Sequence, residues 1–216
     1  MSEGTLKSQN MKWMVSLAAA DVLAIFVFVA PQIASGATFT QLSVGRLLTA
    51  TVLPVVVLLL VNVLPHEVKS SLVFWKGSNA LPGCRAFTRY APRDQRIDMV
   101  ELKRNVGAFP TEPAEQNAKW YQLYKQVSAD ATVRDAHRHF LVYRDMAALS
   151  LPLIVLVPAV LSFIGIAGTA LWLAASLFSI QYLLTAVSAR WSGVRFVCNV
   201  LAAHSAKKVA RHDGPE

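Results

Sequence analysis

The sequence predicts an all-α membrane protein, with four transmembrane helices arranged as two hairpins and a small helical cytoplasmic domain between the second and third helices. Three observations predict this class. Of the 216 residues, 54% are hydrophobic and only 16% are charged. The apolar residues are gathered into four long blocks, whereas a soluble domain would space them by the period of a helix or a strand. No segment alternates with a period of two, so we expect no strands.

Four apolar blocks are long enough to cross a membrane, because about 20 apolar residues span about 30 Å of hydrocarbon. Span 1 contains Asp21, starts at Trp13 and lacks a small-residue cleavage site, so we expect it to be retained and not removed as a signal peptide. The bounds of spans 1 to 4 are Trp13 to about Pro31, about Leu47 to Leu64, Met146 to about Ile166, and about Thr169 to Val187.

Lysine and arginine residues near the span ends predict the orientation of the chain. The connections at residues 32–44 and 165–168 carry no charge, whereas the opposite ends of the spans are basic; Arg46 is the one residue against this pattern. Because basic flanks mark the cytoplasmic side, we expect both termini and the central segment in the cytoplasm. The flanking basic residues are Lys7, Lys12, Lys69, Lys76, Arg138, Arg144, Arg190 and Arg195.

The central segment has the patterns of a small helical domain. We predict a helix at residues 94–106, where Gly107 provides the stop, and a second helix with Pro113 in its first turn. A further helix from about Thr132 is expected to continue into span 3. The second helix has one apolar face, formed by Trp120, Leu123, Tyr124 and Val127. The predicted parts are residues 1–64 (tail and first hairpin), 65–145 (cytoplasmic domain), 146–188 (second hairpin) and 189–216 (basic cytoplasmic tail).

Cofactor and disulfide chemistry is not expected. The two cysteines, Cys84 and Cys198, fall in segments assigned to the reducing cytoplasm, and the chain has no CxxC or Cys/His pattern with zinc spacing. It also lacks a phosphate-binding loop, a dinucleotide-binding glycine pattern and a nucleophile elbow. We therefore expect no cofactor, no metal and no enzyme.

Asp21 is the first candidate functional residue. It lies about 12 Å along the helix axis from Trp13, inside the hydrocarbon, where an unpaired carboxylate is costly. It would either line a pore or titrate, or be a protonated side chain bonded to a Ser or Thr of a neighbouring helix. Asn62 and Gln181 are grouped with it as intramembrane candidates, the alternative being interhelical packing. Four helices scarcely enclose a channel, so a pore requires a homo-oligomer, such as a tetramer.

The second candidate is an arginine-rich stretch, residues 85–96, which we call the arginine segment. Four arginines within twelve residues, with aromatic residues between them, are suited to an anionic ligand, which guanidinium groups bind by forked hydrogen bonds and aromatic rings bind by stacking. The alternative is attraction to anionic lipid headgroups. Tyr121 falls off the apolar face of its helix and is a further stacking candidate. The candidate ligand-binding residues are Arg85, Arg89, Tyr90, Arg93, Arg96 and Tyr121.

A third pattern, Arg134-Asp-Ala-His-Arg-His139, resembles the active-site motif of HEPN ribonucleases. In those enzymes Arg and His from two protomers act on an RNA phosphate, the cation stabilising charge while His transfers a proton. The alternative is that His137 and His139 face solvent or lipid headgroups on a helix next to the membrane.

The central part of the chain contains the pattern Leu81-Pro-Gly, Ala86-Phe, Arg96-Ile-Asp98, Gln116-Asn117, Trp120-Tyr, Leu123-Tyr-Lys125 and Arg144-Asp145. This pattern resembles a family of uncharacterised bacterial four-span membrane proteins. The order of hairpin, cytoplasmic domain and hairpin is also similar to membrane effectors of bacterial anti-phage systems such as CBASS and Hailong. In those systems a nucleotidyltransferase product binds a small membrane protein, which then permeabilises the inner membrane.

The resemblance implies an oligomeric effector channel in the lipid of the bacterial inner membrane, gated by a nucleotide or short oligonucleotide at its cytoplasmic domain. A second hypothesis is a membrane-anchored sensor or interaction module that recruits a soluble defence partner and conducts no ions. A third is the membrane-tethered ribonuclease that the Arg134 to His139 pattern suggests. Charge composition alone does not separate the three.

Overall fold

Helices form every regular element in the described part of the chain, which confirms the all-α class. The structure is a computed structural model that describes the backbone of residues 6–34 and 41–207, and the side chains of residues 10–31, 48 and 52–207. The α-helices are α1 (Leu6–Ala34), α2 (Gln41–Val63), α3 (His66–Phe74), α4 (Met99–Val106), α5 (Pro113–Val127), α6 (Ala131–Phe163) and α7 (Thr169–Ser205). Three short 3-10 and π-helical turns, Pro82–Arg85, Ala86–Tyr90 and Ala91–Arg93, lie between α3 and α4.

Three of the described helices are long and apolar enough to cross a membrane: Asn10–Pro31 within α1, the whole of α6 and the whole of α7. They contain spans 1 and 4 and most of span 3, whose predicted end near Ile166 lies beyond the last residue of α6, Phe163. The described part of α2, Val52–Val63, meets the same criteria only together with α3, from which it is bent by 111°. The crossing of span 2 therefore stays a prediction.

By their internal contacts the residues form two compact units. Unit 1 comprises Met1–Val73 and Leu141–Ala189, and unit 2 comprises Phe74–Phe140 and Arg190–Glu216. The sequence predicted a central domain at residues 65–145 followed by a tail from 189. The contacts group most of α3 with the apolar helices and the last part of α7 with the central segment, and the predicted division into domains stays a prediction.

Unit 1 is a helical bundle with a narrow packed interior and a broad apolar exterior. On α1, Met14, Ala18, Ile25 and Val29 are buried at helical spacing and pack with residues of α2, α6 and α7. The other faces of these helices are also apolar but exposed. Only 28%, 39% and 17% of the residues are buried in the most apolar stretches of α1, α6 and α7. Such a surface is suited to lipid, because a soluble protein rarely exposes a large apolar patch.

Unit 2 forms from short helices with well-defined ends. Asp98 is the N-cap of α4, since its side chain accepts hydrogen bonds from the backbone N–H groups of Val100 (2.8 Å) and Glu101 (3.0 Å). The helix predicted at residues 94–106 thus ends where expected, at Gly107 with φ of 79°, but starts five residues later than Asp94. Pro113 is the first residue of α5, as predicted.

The two longest helices extend beyond the predicted spans. α6 runs without a break from Ala131 through span 3, which confirms the predicted continuation. α7 continues from span 4 to Ser205, into residues that the sequence assigned to a tail. Its last part is helical because an apolar stripe there packs inside unit 2; the buried members are Phe196, Val197, Val200 and Leu201. The basic residues of 208–216 lie outside the described part.

Candidate functional site

Asp21 belongs to a polar cluster that joins three helices of unit 1. The side chain is only 1% exposed. Its Oδ1 accepts a hydrogen bond from Nε2 of Gln181 on α7 (2.9 Å), and the same nitrogen donates to Oγ of Ser150 on α6 (3.0 Å). Ser150 in turn donates to the carbonyl oxygen of Met146 (2.9 Å). We call Asp21, Ser150 and Gln181 the intramembrane cluster.

The structure brings together two of the three residues predicted for the intramembrane site. Asn62 is exposed on α2, and its Nδ2 donates to the carbonyl oxygen of Leu58 one turn earlier (2.9 Å). Ser150 replaces it as the third member of the cluster. Because the cluster is enclosed within one protomer, an ion path through Asp21 would have to run inside the bundle and not between copies.

A buried ionic group stabilises the contact between α3 and α6. Oδ1 of Asp145 lies 3.4 Å from Nζ of Lys69 and 2.8 Å from Nη2 of Arg144. Lys69 and Arg144 are 5% and 7% exposed. Two cations beside one carboxylate keep Asp145 paired, and removal of either partner from such a buried group is costly. This group gives Arg144-Asp145, part of the sequence pattern quoted above, a structural role.

Gln116 fixes the arginine segment on α5. Its buried Oε1 accepts hydrogen bonds from the backbone N–H groups of Phe87 and Thr88, both at 3.2 Å, and from the Thr88 hydroxyl (3.2 Å). Its Nε2 donates to the carbonyl oxygen of Thr111 (2.8 Å). Both polar atoms of this side chain therefore serve to position the backbone around the π-helical turn. Sequence analysis did not identify Gln116 as a site residue.

Gly83 permits the close approach of the turns to α5. A Cβ atom at this position would lie 2.7 Å from Cε3 of Trp120 and would also collide with the Asn117 side chain. Real side chains do not pack that closely, so only glycine fits here. The Leu81-Pro-Gly pattern thus marks a packing contact that places the following arginines.

The side chain of Arg96 is exposed, but each nitrogen of its guanidinium is bonded to another group of unit 2. Its Nε and Nη2 donate to the two oxygens of Asp94 (3.0 and 2.7 Å), and its Nη1 donates to Oδ1 of Asn199 (3.0 Å). The guanidinium beside Asp94 lowers the pKa of that carboxyl to about 2. Arg96 therefore connects the end of the arginine segment to α7.

The other three arginines differ from Arg96. Arg89 and Arg93 are exposed and Arg85 is half-buried. None of the three donates a hydrogen bond or forms an ion pair within the described part of the chain. They recur every four residues along the consecutive turns, with half-buried Tyr90 between them. The arginine segment thus presents three uncompensated positive charges on a backbone that Gln116 fixes.

Tyr121 is exposed on α5, as predicted, but the structure does not join it to the arginine segment. Its ring contacts within the described residues are Tyr124, at 5.9 Å between centroids, and Nζ of Lys125, at 4.9 Å from the ring centre. Trp120 is buried in the core of unit 2 and packs edge-on against Phe196 of α7. This supports a structural role for the apolar face of α5.

Arg134 and His139 do not converge within a protomer. Both are exposed on α6 and stand five residues apart, so their side chains leave the helix about 140° apart. His137, between them, is part of an aromatic cluster: its Nδ1 lies 3.0 Å from the Tyr124 hydroxyl and its ring stacks on Phe196. The geometry of one chain gives no support to a ribonuclease site.

Comparison with known proteins identifies no relative. No family model matches the chain, and no curated protein and no solved structure matches it. The contacts of the described residues are therefore the basis for a proposal of function.

Because Asp94 is paired with Arg96, we expect the folded protein to lose stability in acid in a specific way. Because the pKa of Asp94 is lowered to about 2 from its ordinary value of 3.8, the ion pair stabilises the fold fully above that ordinary value and ceases to do so as the pH falls through about 2. We expect the melting temperature of the wild type to exceed that of Asp94→Asn at pH 6, and the difference to shrink steadily between pH 4 and pH 2. A difference that stays constant over this range would contradict the pairing.

Proposed function

We propose that this protein is a four-span inner-membrane protein of bacteria whose cytoplasmic domain binds a nucleotide or short oligonucleotide. One observation carries the proposal: Arg85, Arg89 and Arg93 have no partner among the described residues, and they lie on a segment whose backbone is bonded to Gln116. Guanidinium groups offer planar, forked donors that match phosphate oxygens. A backbone that is already held by Gln116 loses little further conformational entropy on binding, which favours affinity.

We place the membrane across α7 between two exposed tryptophans. The helix has 37 residues and is about 55 Å long, far more than the roughly 30 Å of hydrocarbon. Trp172 and Trp191 lie about 28 Å apart along its axis, and tryptophan is enriched at membrane interfaces. Next to Trp191, the guanidinium of Arg190 lies 3.4 Å from the ring centre of Trp75. The remainder of α7, after Trp191, then belongs to the cytoplasmic domain.

Signal transmission would use the long helices. α6 has its first ten residues in unit 2 and the rest in unit 1, and α7 likewise contributes to both. A ligand shifts such a protein between two states only by binding one of them more tightly, and a few kcal/mol of difference is sufficient. In our proposal the ligand changes the tilt of the first part of α6, and the continuous helix carries that change into the membrane.

The output of the signal has two candidates. The architecture's resemblance to anti-phage membrane effectors favours permeabilisation by a homo-oligomer. The second candidate, a sensor that recruits a soluble defence partner and conducts no ions, is favoured by the intramembrane cluster. Asp21 and Gln181 are bonded to each other inside the protomer, and a polar residue that lines an open pore would instead face water.

Cysteine labelling tests the number of spans. We expect the thiols of the variants Ala37→Cys and Ser78→Cys to lie on opposite sides of the membrane, because α2 crosses between these positions. A membrane-impermeant maleimide should label the Ala37→Cys variant from outside intact spheroplasts and the Ser78→Cys variant only in inverted vesicles. Ala167→Cys, in the connection before α7, is the matched control and should label like Ala37→Cys. Labelling of positions 37 and 78 from the same side would show that α2 does not cross.

Charge removal tests the ligand site. We expect Arg89→Ala/Arg93→Ala to weaken binding of ATP or a fluorescent six-nucleotide RNA by at least about tenfold, since each charge-assisted hydrogen bond contributes about 1.5–3 kcal/mol. The measurement is fluorescence anisotropy, with competition by ATP, on protein in lipid nanodiscs. Lys103→Ala/Arg104→Ala removes the same charge from exposed positions of α4 and should leave binding unchanged. Equal weakening by both pairs would indicate general electrostatic attraction and contradict a site.

Ion flux separates the two outputs. If the protein is an effector channel, liposomes that contain the wild type should leak potassium when the bound probe is added, and Arg89→Ala/Arg93→Ala should abolish the leak. Binding without any leak would contradict the channel and leave the sensor. A leak that is equal with and without the probe would contradict gating by that probe.

A further inference from the structure

Asp21 is a titratable group of unit 1 that is not part of the ligand site proposed in unit 2. It is almost fully enclosed by the bundle, about 12 Å along α1 from Trp13. Its Oδ1 has one hydrogen-bond donor, the amide of Gln181, and its buried Oδ2 has no partner among the described residues. A buried polar atom without a partner is rare in native proteins and requires an explanation.

No cation is available to Asp21 in the described part of unit 1. On α6 and α3 the nearest charged groups, Arg144 and Lys69, are bound to Asp145, and Ser150 lies about 7.5 Å further along the α6 axis. On α7, Tyr182 donates its hydroxyl to the carbonyl oxygen of Leu72. On α1 the nearest charged side chain is Lys12, more than two turns away, and described residues 52–63 of α2 contain no titratable side chain.

The hydrogen-bond pattern fits a neutral carboxylic acid. Nε2 of Gln181 donates one hydrogen to Asp21 and the other to Ser150, so both amide hydrogens are used. An ionised carboxylate in an apolar interior would need several donors or a cation, and this one has a single neutral donor. A metal ion is disfavoured as the missing partner, because the amide NH₂ group faces the carboxyl and would repel a cation.

We infer that Asp21 is a proton-binding site of the membrane bundle, with its Oδ1 accepting from Gln181 and its Oδ2 carrying a proton at neutral pH. Ionisation transfers that proton from Oδ2 to a water molecule and leaves a carboxylate that needs hydration. The neutral acid therefore favours the packed bundle that encloses Asp21, which we call the closed bundle. The ionised form favours a bundle that water has entered. By thermodynamic linkage, low pH stabilises the closed bundle and high pH favours a hydrated one.

Infrared spectroscopy tests this inference without any ligand. In membranes at pH 7, the difference between the wild type and Asp21→Asn should contain the carbonyl stretch of a protonated carboxylic acid. Asp135→Asn, which replaces an exposed aspartate on α6, is the control and should show no such band, since its carboxyl group lies outside the packed interior. Absence of the band from the Asp21→Asn difference spectrum would overturn the inference.

A second measurement uses the wild type alone and does not depend on the folding of a variant. Dicyclohexylcarbodiimide reacts with protonated carboxyl groups in apolar surroundings, and mass spectrometry locates the adduct. We expect modification of Asp21 at pH 7 and none at Asp145, whose Oδ1 is paired with Lys69 and Arg144. Modification of Asp145 and not Asp21 would contradict the assignment. Neither measurement involves the arginine segment. A negative result would therefore contradict the role of Asp21 without contradicting the ligand proposal.

Discussion

The apolar exterior of α1, α6 and α7 is the constraint on which the rest of the structure depends. Large side chains such as Leu23, Phe163, Trp172 and Leu184 are more than half exposed on these helices. In water this surface would drive aggregation, whereas lipid tails solvate it. Lipid contributes no hydrophobic attraction between helices, so interhelical packing and hydrogen bonds must supply the specificity of the bundle.

The apolar exterior also explains how the polar side chains of unit 1 are bonded. Backbone and side-chain polar groups cannot bond to lipid tails, so they bond to each other inside the bundle. The amide of Gln181 joins α1, α6 and α7, and Asp145 joins α3 to α6 through Lys69. In unit 2, Gln116 likewise accepts hydrogen bonds from the backbone N–H groups of Phe87 and Thr88, and Asp94 accepts hydrogen bonds from Arg96. Within the described residues, the polar groups that have no protein partner are therefore candidates for binding, and they include Arg85, Arg89, Arg93 and Oδ2 of Asp21.

The sequence alone was sufficient to predict helices whose positions and ends depend on residues close together in the chain. Apolar block length located α1, α6 and α7, and proline and glycine located the start of α5 and the end of α4. The start of α4 was misplaced although a local signal existed: Asp98 followed by Glu101 is an N-cap pattern. Contacts between distant residues were not predictable from one sequence. Gln181 and Asp21 are separated by 160 positions, and nothing local distinguishes Gln116 from a surface residue of α5. Arg96 was included with the other arginines by type, although its neighbour Asp94 was a signal that it is paired.

Membrane flotation after an alkaline wash tests the central claim most directly. Alkaline treatment opens vesicles and releases proteins that are held to them only by charge, whereas helices solvated by acyl chains remain in the bilayer. We predict that the protein floats with the lipid fraction of a density gradient after the wash. Recovery as a monodisperse species in the detergent-free soluble fraction would mean that the outer faces of α1, α6 and α7 are covered by something other than lipid, and would contradict the account.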